Sequence, residues 1–188
     1  MATLTQPMTM TDLLAMPDDG KRRWLIDGEL REEDMTRRNR FHSVSMANAS
    51  TFLNIWRYAQ PRPWGNVVCG EASVQLRADD ETTGFGVDVA YVSADVMVAQ
   101  TDEHTIIHGL PTLIVEITSP STVLEDLDEK IDTYLTAGVR LVWVIDPHDR
   151  TVTIYRPGDE PTFANARQEL TGGDVLPGFA VLVSRLFE

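Results

Sequence analysis

Two acidic residues interrupt stretches of sequence that otherwise read as buried β-strands. Glu116 stands inside Leu-Ile-Val-Glu-Ile, and Asp88 stands inside Val-Asp-Val-Ala. Removing a carboxylate from water is costly, so a buried one almost always has a partner. If the two strands are neighbours, the carboxylates converge and repel each other unless a cation lies between them. Oxygen ligands favour a hard cation, so the pair predicts a Mg²⁺ or Mn²⁺ site.

Two explanations without a metal are also open for Asp88 and Glu116. The chain contains fourteen arginines, and each acid could form an ion pair with one of them. The strands could instead lie at a sheet edge, where the acids would face water. The neighbours of the two strands decide between these alternatives.

A helix predicted over residues 122–137 adds a positive charge near these acids. Its apolar residues recur at helical spacing, and Asp126 and Lys130, four positions apart, flank this apolar stripe. Lys130 is one of only two lysines in the chain, which makes it a candidate catalytic cation. The alternative is an ordinary pair between Asp126 and Lys130 on the helix surface, which contributes only roughly 0.2–0.5 kcal/mol.

The surrounding pattern predicts an α/β fold in which a helix connects two strands of one sheet. No linker separates two cores, so we expect a single domain over residues 1–188. Helices are predicted at residues 9–16, 41–59 and 122–137. Strands are predicted as a pair within 23–30, then at 65–76, 87–92, 112–118, 140–145 and 151–155, with one or two edge strands between 162 and 187.

Composition narrows the class of protein. The 188 residues are 43% hydrophobic, and there is one cysteine, Cys69, which excludes a cysteine-rich metal site. We expect a cytoplasmic protein without a membrane segment, because no long apolar run or secretory signal is present. The net charge of −13 argues against coating nucleic acid by bulk electrostatics. Residues 21–40 hold seven basic and five acidic residues, so we expect any polyanion partner to contact the N-terminal third of the chain. The alternative is that the acidic surface serves only to keep the protein soluble.

Four segments together resemble the Uma-two family, bacterial proteins described as restriction endonucleases. The segments are WLIDGEL, VDVAYV, LPTLIVEITSPSTVLEDLDEKIDTYLTAGVRLVWVIDPHDRTVTIYR and LPGFAVLVSRLF. The family belongs to the PD-(D/E)XK nuclease superfamily. The resemblance implies the restriction-endonuclease-like fold, a mixed central β-sheet flanked by helices.

The resemblance also implies catalytic roles for Asp88, Glu116 and Lys130. Asp88 matches the metal-binding aspartate of the first motif, although Val87 replaces the proline expected before it. Glu116 matches the acid of the second motif, and the backbone carbonyl of Ile117 would complete the metal shell. The lysine expected two positions after Glu116 is replaced by threonine, and Lys130 on the following helix matches it.

Four further residues match family positions near the site. Glu29 matches an additional acid, and His42 matches a histidine at the start of the long helix. Asp126 and Ser119 match positions to which the resemblance assigns no definite role. We expect Glu29 to help hold metal and His42 to contact phosphate or act as a base.

The implied function is a Mg²⁺- or Mn²⁺-dependent hydrolase, an endonuclease that cuts DNA phosphodiester bonds, acting as a homodimer. Two alternatives use the same fold. One is a module that binds nucleic acid or protein without catalysis, which the net charge and the displaced lysine favour. The other is a metal-dependent phosphoesterase acting on a small substrate, for which an acidic surface is less of a handicap.

Overall fold

A mixed β-sheet with helices on both faces makes up most of the structure. The computed structural model describes residues 6–34, 39–77 and 79–188. Its α-helices are Met10–Leu14 (α1), Arg40–Tyr58 (α2), Ala94–Val98 (α3) and Leu124–Ala137 (α4). Its strands are Lys21–Ile26 (β1), Glu29–Asp34 (β2), Asn66–Arg77 (β3), Asp80–Val92 (β4), Ile107–His108 (β5), Leu113–Ile117 (β6), Leu141–Asp146 (β7), Thr151–Tyr155 (β8), Thr162–Asn165 (β9), Glu169–Gly172 (β10) and Leu176–Leu182 (β11), followed by a 3₁₀ turn over Val183–Phe187.

The main sheet has the strand order β2-β1-β4-β6-β7-β8-β9, and β3 pairs with β4 and β5. Strands β6 and β7 are parallel and are connected by α4, whereas the other neighbours along that order are antiparallel. A parallel pair needs a crossover connection, which α4 provides. The predicted mixed sheet with a helical crossover is therefore confirmed. Of the helices in the described ranges, none has the length and apolarity needed to cross a bilayer.

Both faces of the sheet are covered, which explains the uninterrupted apolar runs of β6 and β7. On one face, α2 packs Leu53 and Trp56 against the sheet and the C-terminal strands. On the other face, α4 packs Leu127, Ile131 and Tyr134. The two hydrophobic cores therefore pack against opposite faces of the sheet. The ends of β4 and β6 lie between α2 and α4.

The largest difference from the predicted elements is the length of β4. The sequence predicted a strand only at residues 87–92, but β4 begins at Asp80. Gly84 and Gly86 obscure the apolar alternation. A β-carbon at Gly84 would lie 2.9 Å from the backbone carbonyl oxygen of Val74 on β3 and would also displace the Met10 side chain of α1. The segment predicted as a loop, residues 93–110, contains α3 and β5, and the C-terminal region forms three strands.

The buried face of α2 should dominate the stability of the fold. Leu53→Ala is expected to lower the free energy of unfolding by roughly 2–5 kcal/mol, because Leu53 has no exposed surface and truncation leaves a cavity. Urea unfolding followed by circular dichroism measures this change. Ile55→Ala is the matched control on the same helix, since Ile55 is 61% exposed and should change stability by less than about 1 kcal/mol. Equal losses from both substitutions would contradict this packing.

Candidate active site

Asp88 lies at the point where β4 and β6 stop pairing. The ladder between them runs from Tyr91 and Leu113 to Val89 and Val115, so Asp88 and Glu116 come next on the two strands. At this point a side-chain hydrogen bond takes the place of a backbone one: Asp88 Oδ2 accepts a hydrogen bond of 2.9 Å from the backbone N–H of Ile117.

Among the residues that the structure describes, three groups contact the buried carboxylate of Asp88, which is 1% exposed. Besides the Ile117 amide, His42 Nε2 of α2 lies 3.2 Å from Oδ2, and the Arg22 guanidinium of β1 lies 3.8 Å from Oδ1. Burial alone would raise the pKa of Asp88, but the His42 hydrogen bond, the charges of His42 and Arg22, and the Ile117 amide outweigh it. The pKa of Asp88 is therefore lowered, and the residue is ionised at neutral pH.

Glu116 lies on β6, 4% exposed, in a different electrostatic setting. The hydroxyl of Tyr134 on α4 donates a 2.7 Å hydrogen bond to its Oε1. Burial raises the pKa of Glu116 and the charge of Asp88 raises it further, while Lys130 and the Tyr134 hydroxyl act in the opposite direction. The net shift is upward, so the ionised form of Glu116 lacks sufficient positive charge nearby. A cation bound beside it would supply that charge.

Lys130 reaches the site from α4 and is 5% exposed. Its ammonium lies 4.1 Å from the centroid of the Trp24 ring on β1, a cation–π contact. No ion pair between Asp126 and Lys130 occurs among the residues that the structure describes, so the alternative of a simple helix-surface pair is not what the fold forms. Lys130 and Tyr134 are one helical turn apart and both act on Glu116.

Arg22 joins β1, β2 and β3 to the site. Its guanidinium lies 3.2 Å from Glu33 and also contacts Glu71. Glu71 has φ +61° within a bulge of β3, which turns this residue towards Arg22. Asp88 therefore has an arginine nearby, in part as the ion-pair alternative predicted. For Glu116, the positive charge with the larger effect on its pKa is that of Lys130, followed by Arg22.

A cleft opens at Glu116, beside the residues that contact Asp88, and we call it the carboxylate cleft. It brings together most of the residues that the sequence singled out. Its walls include Arg22, Glu33, Asp34, His42, Glu116, Ile117, Ser119, Asp126 and Lys130. Asp88 lies immediately beneath, in contact with His42 and Ile117.

Glu29, predicted to help hold metal, lies outside the carboxylate cleft. It begins β2 beside the turn at Asp27 and Gly28, its side chain is 74% exposed, and it pairs with Arg31 at 3.1 Å. The opposite end of β2, which carries Glu33 and Asp34, lines the cleft. Strands rise about 3.3 Å per residue, so Glu29 is roughly 13 Å along the strand from Glu33.

The sequence interpretation missed Tyr134, Arg22, Glu33 and Asp34. In the sequence, Tyr134 is one of the apolar residues that recur at helical spacing within the helix predicted over 122–137. The sequence did offer one indication: Tyr134 follows Lys130 by one helical turn, and a buried tyrosine hydroxyl needs a hydrogen-bond partner. This could have predicted that Tyr134 contacts a polar group of the site. Arg22 gave no local signal, since its contact with Asp88 depends on the pairing of β1 with β4.

The donor set fits a hard divalent cation. Among the described residues, no three His, Cys, Asp or Glu side chains form a closed metal-binding group. Mg²⁺ does not require such a cage, because it is usually bound by one or two carboxylates, with waters and substrate phosphate completing its shell. The carboxylates of Asp88 and Glu116, with the Ile117 carbonyl at the end of β6, are a set of this kind.

Comparison with known proteins bears on the family and the fold of the chain. The Uma2 family, described as "Putative restriction endonuclease", matches residues 10–184. A crystal structure described as "a putative nuclease belonging to DUF820 from Anabaena variabilis ATCC 29413" is similar with a TM-score of 0.77 and 18% identity, covering 96% of this chain and 98% of that chain. This likeness shows a shared fold. No curated protein matches the chain. The chain belongs to the Uma2 family.

Proposed function

We propose that this protein is an endonuclease that hydrolyses DNA phosphodiester bonds with the help of Mg²⁺ or Mn²⁺. The observation that carries the proposal is the meeting of two buried carboxylates, Asp88 and Glu116, with the buried ammonium of Lys130. Buried charges are expensive to maintain in a fold, and perturbed pKa values in a cleft are typical of catalytic groups. Membership of a family described as restriction endonucleases supports the same conclusion.

Asp88, Glu116 and the carbonyl of Ile117 would hold the metal. When bound, such an ion lowers the pKa of its water ligand and stabilises charge that develops on the phosphate. His42 and Arg22 keep Asp88 ionised, so that it is ready to accept a cation. Tyr134 fixes Glu116 by engaging Oε1, which leaves Oε2 as the oxygen directed at a ligand.

Lys130 supplies a fixed positive charge to the phosphate. Trp24 supports its ammonium from one side, so little reorganisation is needed when charge develops during the reaction. His42 has a positioning role rather than that of a base, because its Nε2 is directed at Asp88. Ser119 and Asp126 line the mouth of the cleft, where they are placed to meet the substrate or its water.

Metal removal provides the direct test of this function. Wild-type protein is expected to cleave plasmid, linear or single-stranded DNA with Mn²⁺ or Mg²⁺, to stop in excess EDTA and to recover when metal is restored. Glu116→Ala is expected to be inactive under all these conditions. Gel electrophoresis with a time course measures both. Equal cleavage by the two proteins would overturn the assignment of the site, and no cleavage by either would favour the non-catalytic binding module.

A further inference from the structure

The carboxylate cleft is too small for a nucleotide. Its volume is about 60 Å³, and the groups at its base are 1–5% exposed. A water-sized group needs about 10–15 Å³ by this measure, so the cleft has room only for a metal ion, a few waters and phosphate oxygens. If the protein cuts DNA, the sugars and bases on either side of the scissile phosphate lie outside the cleft.

A larger groove continues from the cleft along the ends of β6 and β7. The two share Thr118 and Ser119, and the groove has a volume of about 680 Å³, within the range of ligand sites. Phe41, His148 and Arg150 line its far side. We call it the Phe41 groove. A polymer whose phosphate occupies the cleft would enter this groove with its next residues.

Each of two aromatic rings along this path is accompanied by an arginine. Phe41 is 53% exposed, and the Arg40 guanidinium lies 4.6 Å from its ring centroid. Beyond it, a hollow lined by Phe41 and Phe187 extends the path, and the Arg150 guanidinium lies 5.7 Å from the Phe187 ring. Aromatic rings interleaved with arginines are the surface on which unpaired bases stack, while duplex DNA presents no free base faces.

Charge also distinguishes this groove in a strongly acidic protein. Within the described ranges, neither Arg40 nor Arg150 has a carboxylate within 4.0 Å. The acid in the groove wall, Asp146, already accepts hydrogen bonds from the amides of His148 and Asp149, at 2.8 and 3.0 Å. By contrast, a groove elsewhere beside α4 is lined by four acids and one arginine, namely Asp27, Asp80, Glu129, Asp132 and Arg77. The Phe41 groove itself is lined by one arginine, Arg150, and one acid, Asp146, so a polyanion meets less repulsion there than in the acidic groove.

We propose that the Phe41 groove binds unpaired nucleotides adjoining the phosphate in the carboxylate cleft. The inference rests on the proposed nuclease function and names its substrate class: single-stranded DNA, or duplex DNA with a locally unpaired strand. Phe41 supplies the stacking surface, and Arg150 pairs with a backbone phosphate. A homodimer, expected for cutting both strands of a duplex, is not required for this substrate.

Binding without cleavage tests the groove. Fluorescence anisotropy in EDTA would follow a labelled single-stranded oligonucleotide and the duplex of the same sequence. Phe41→Ala and Arg150→Gln are each expected to weaken binding of the single strand roughly 5- to 100-fold. Ile55→Ala and Arg167→Gln are the matched controls, exposed and outside the groove, and should stay within about twofold. Single-strand affinity equal to that of the controls, or tighter binding of the duplex by the wild type, would overturn the proposal.

Cleavage kinetics with Mn²⁺ separate this proposal from the nuclease function. Phe41→Ala should raise KM for single-stranded DNA more than it lowers kcat, because the groove binds nucleotides away from the reacting phosphate. Wild-type cleavage with an unchanged KM in Phe41→Ala would leave the nuclease function intact and refute the groove. Binding that depends on Phe41, without any cleavage, would support the groove and refute the nuclease function.

Discussion

Asp88→Asn is expected to lower metal-dependent DNA cleavage roughly 10³-fold, because losing one ionised ligand removes several kcal/mol of transition-state stabilisation. The amide oxygen of asparagine can still accept the hydrogen bond from the Ile117 N–H, so the end of the β4–β6 ladder is retained. The substitution therefore removes charge with little change of shape. Single-turnover cleavage and Mn²⁺ binding by calorimetry measure the two effects, and we expect binding to disappear as well.

The control for Asp88→Asn is the same chemical change at an acid outside the carboxylate cleft. Glu29→Gln loses an exposed pair with Arg31 and should leave cleavage within about twofold of the wild type. Circular dichroism establishes that both variants are folded. Cleavage by Asp88→Asn above one-tenth of the wild-type rate, or loss of activity in Glu29→Gln, would contradict the placement of the metal ligands.

Lys130→Met should produce the second large loss, roughly 10²- to 10³-fold in cleavage. Methionine keeps the unbranched apolar part of the side chain beside Trp24, while the ammonium, whose charge acts on Glu116, is removed. The buried carboxylate of Glu116 then loses a compensating charge, so the free energy of unfolding should also fall, by up to roughly 3–5 kcal/mol. Urea unfolding and the cleavage rate of the same preparation separate the two effects.

The chain provides its own matched control for this experiment. Lys21 is the other lysine, it is partly exposed, and it pairs with Glu32 away from the cleft. Lys21→Met should leave the cleavage rate within about twofold of the wild type. Full activity in Lys130→Met would show that Lys130 serves only to pack against Trp24, and the proposed role at the phosphate would be wrong.

Much of the fold was predictable because its central elements are strongly patterned. Strands β6, β7 and β8 are apolar runs bounded by turns, and α2 and α4 show clear helical spacing, so their predicted ends are within about two residues. The first half of β4 was missed because it contains polar residues and two glycines needed for close packing, not for a turn. Such a segment has no local signal for a strand.

The site was predictable to the extent that its residues break a local pattern. Asp88 and Glu116 stand out as acids in apolar strands, and the strands are neighbours as expected. Arg22 does not interrupt an apolar pattern, and nothing in the sequence distinguishes it from the other thirteen arginines. Its contact with Asp88 depends on the pairing of β1 with β4. Sequence spacing also could not distinguish the two ends of β2, which bring Glu33 and Asp34 to the cleft and leave Glu29 outside.

In the proposed nuclease, placing the Lys130 ammonium on α4 makes cleavage depend on how α4 packs against the sheet. On a strand, the separation of two alternate side chains is fixed by backbone geometry. Here the distance from Lys130 to Glu116 is set by the layer of Leu127, Ile131 and Tyr134 between α4 and the sheet. Cores are close-packed, so a small change of side-chain volume under α4 shifts the helix and with it the Lys130 ammonium. If Lys130 acts as proposed, substitutions of these apolar side chains change the cleavage rate without contacting DNA.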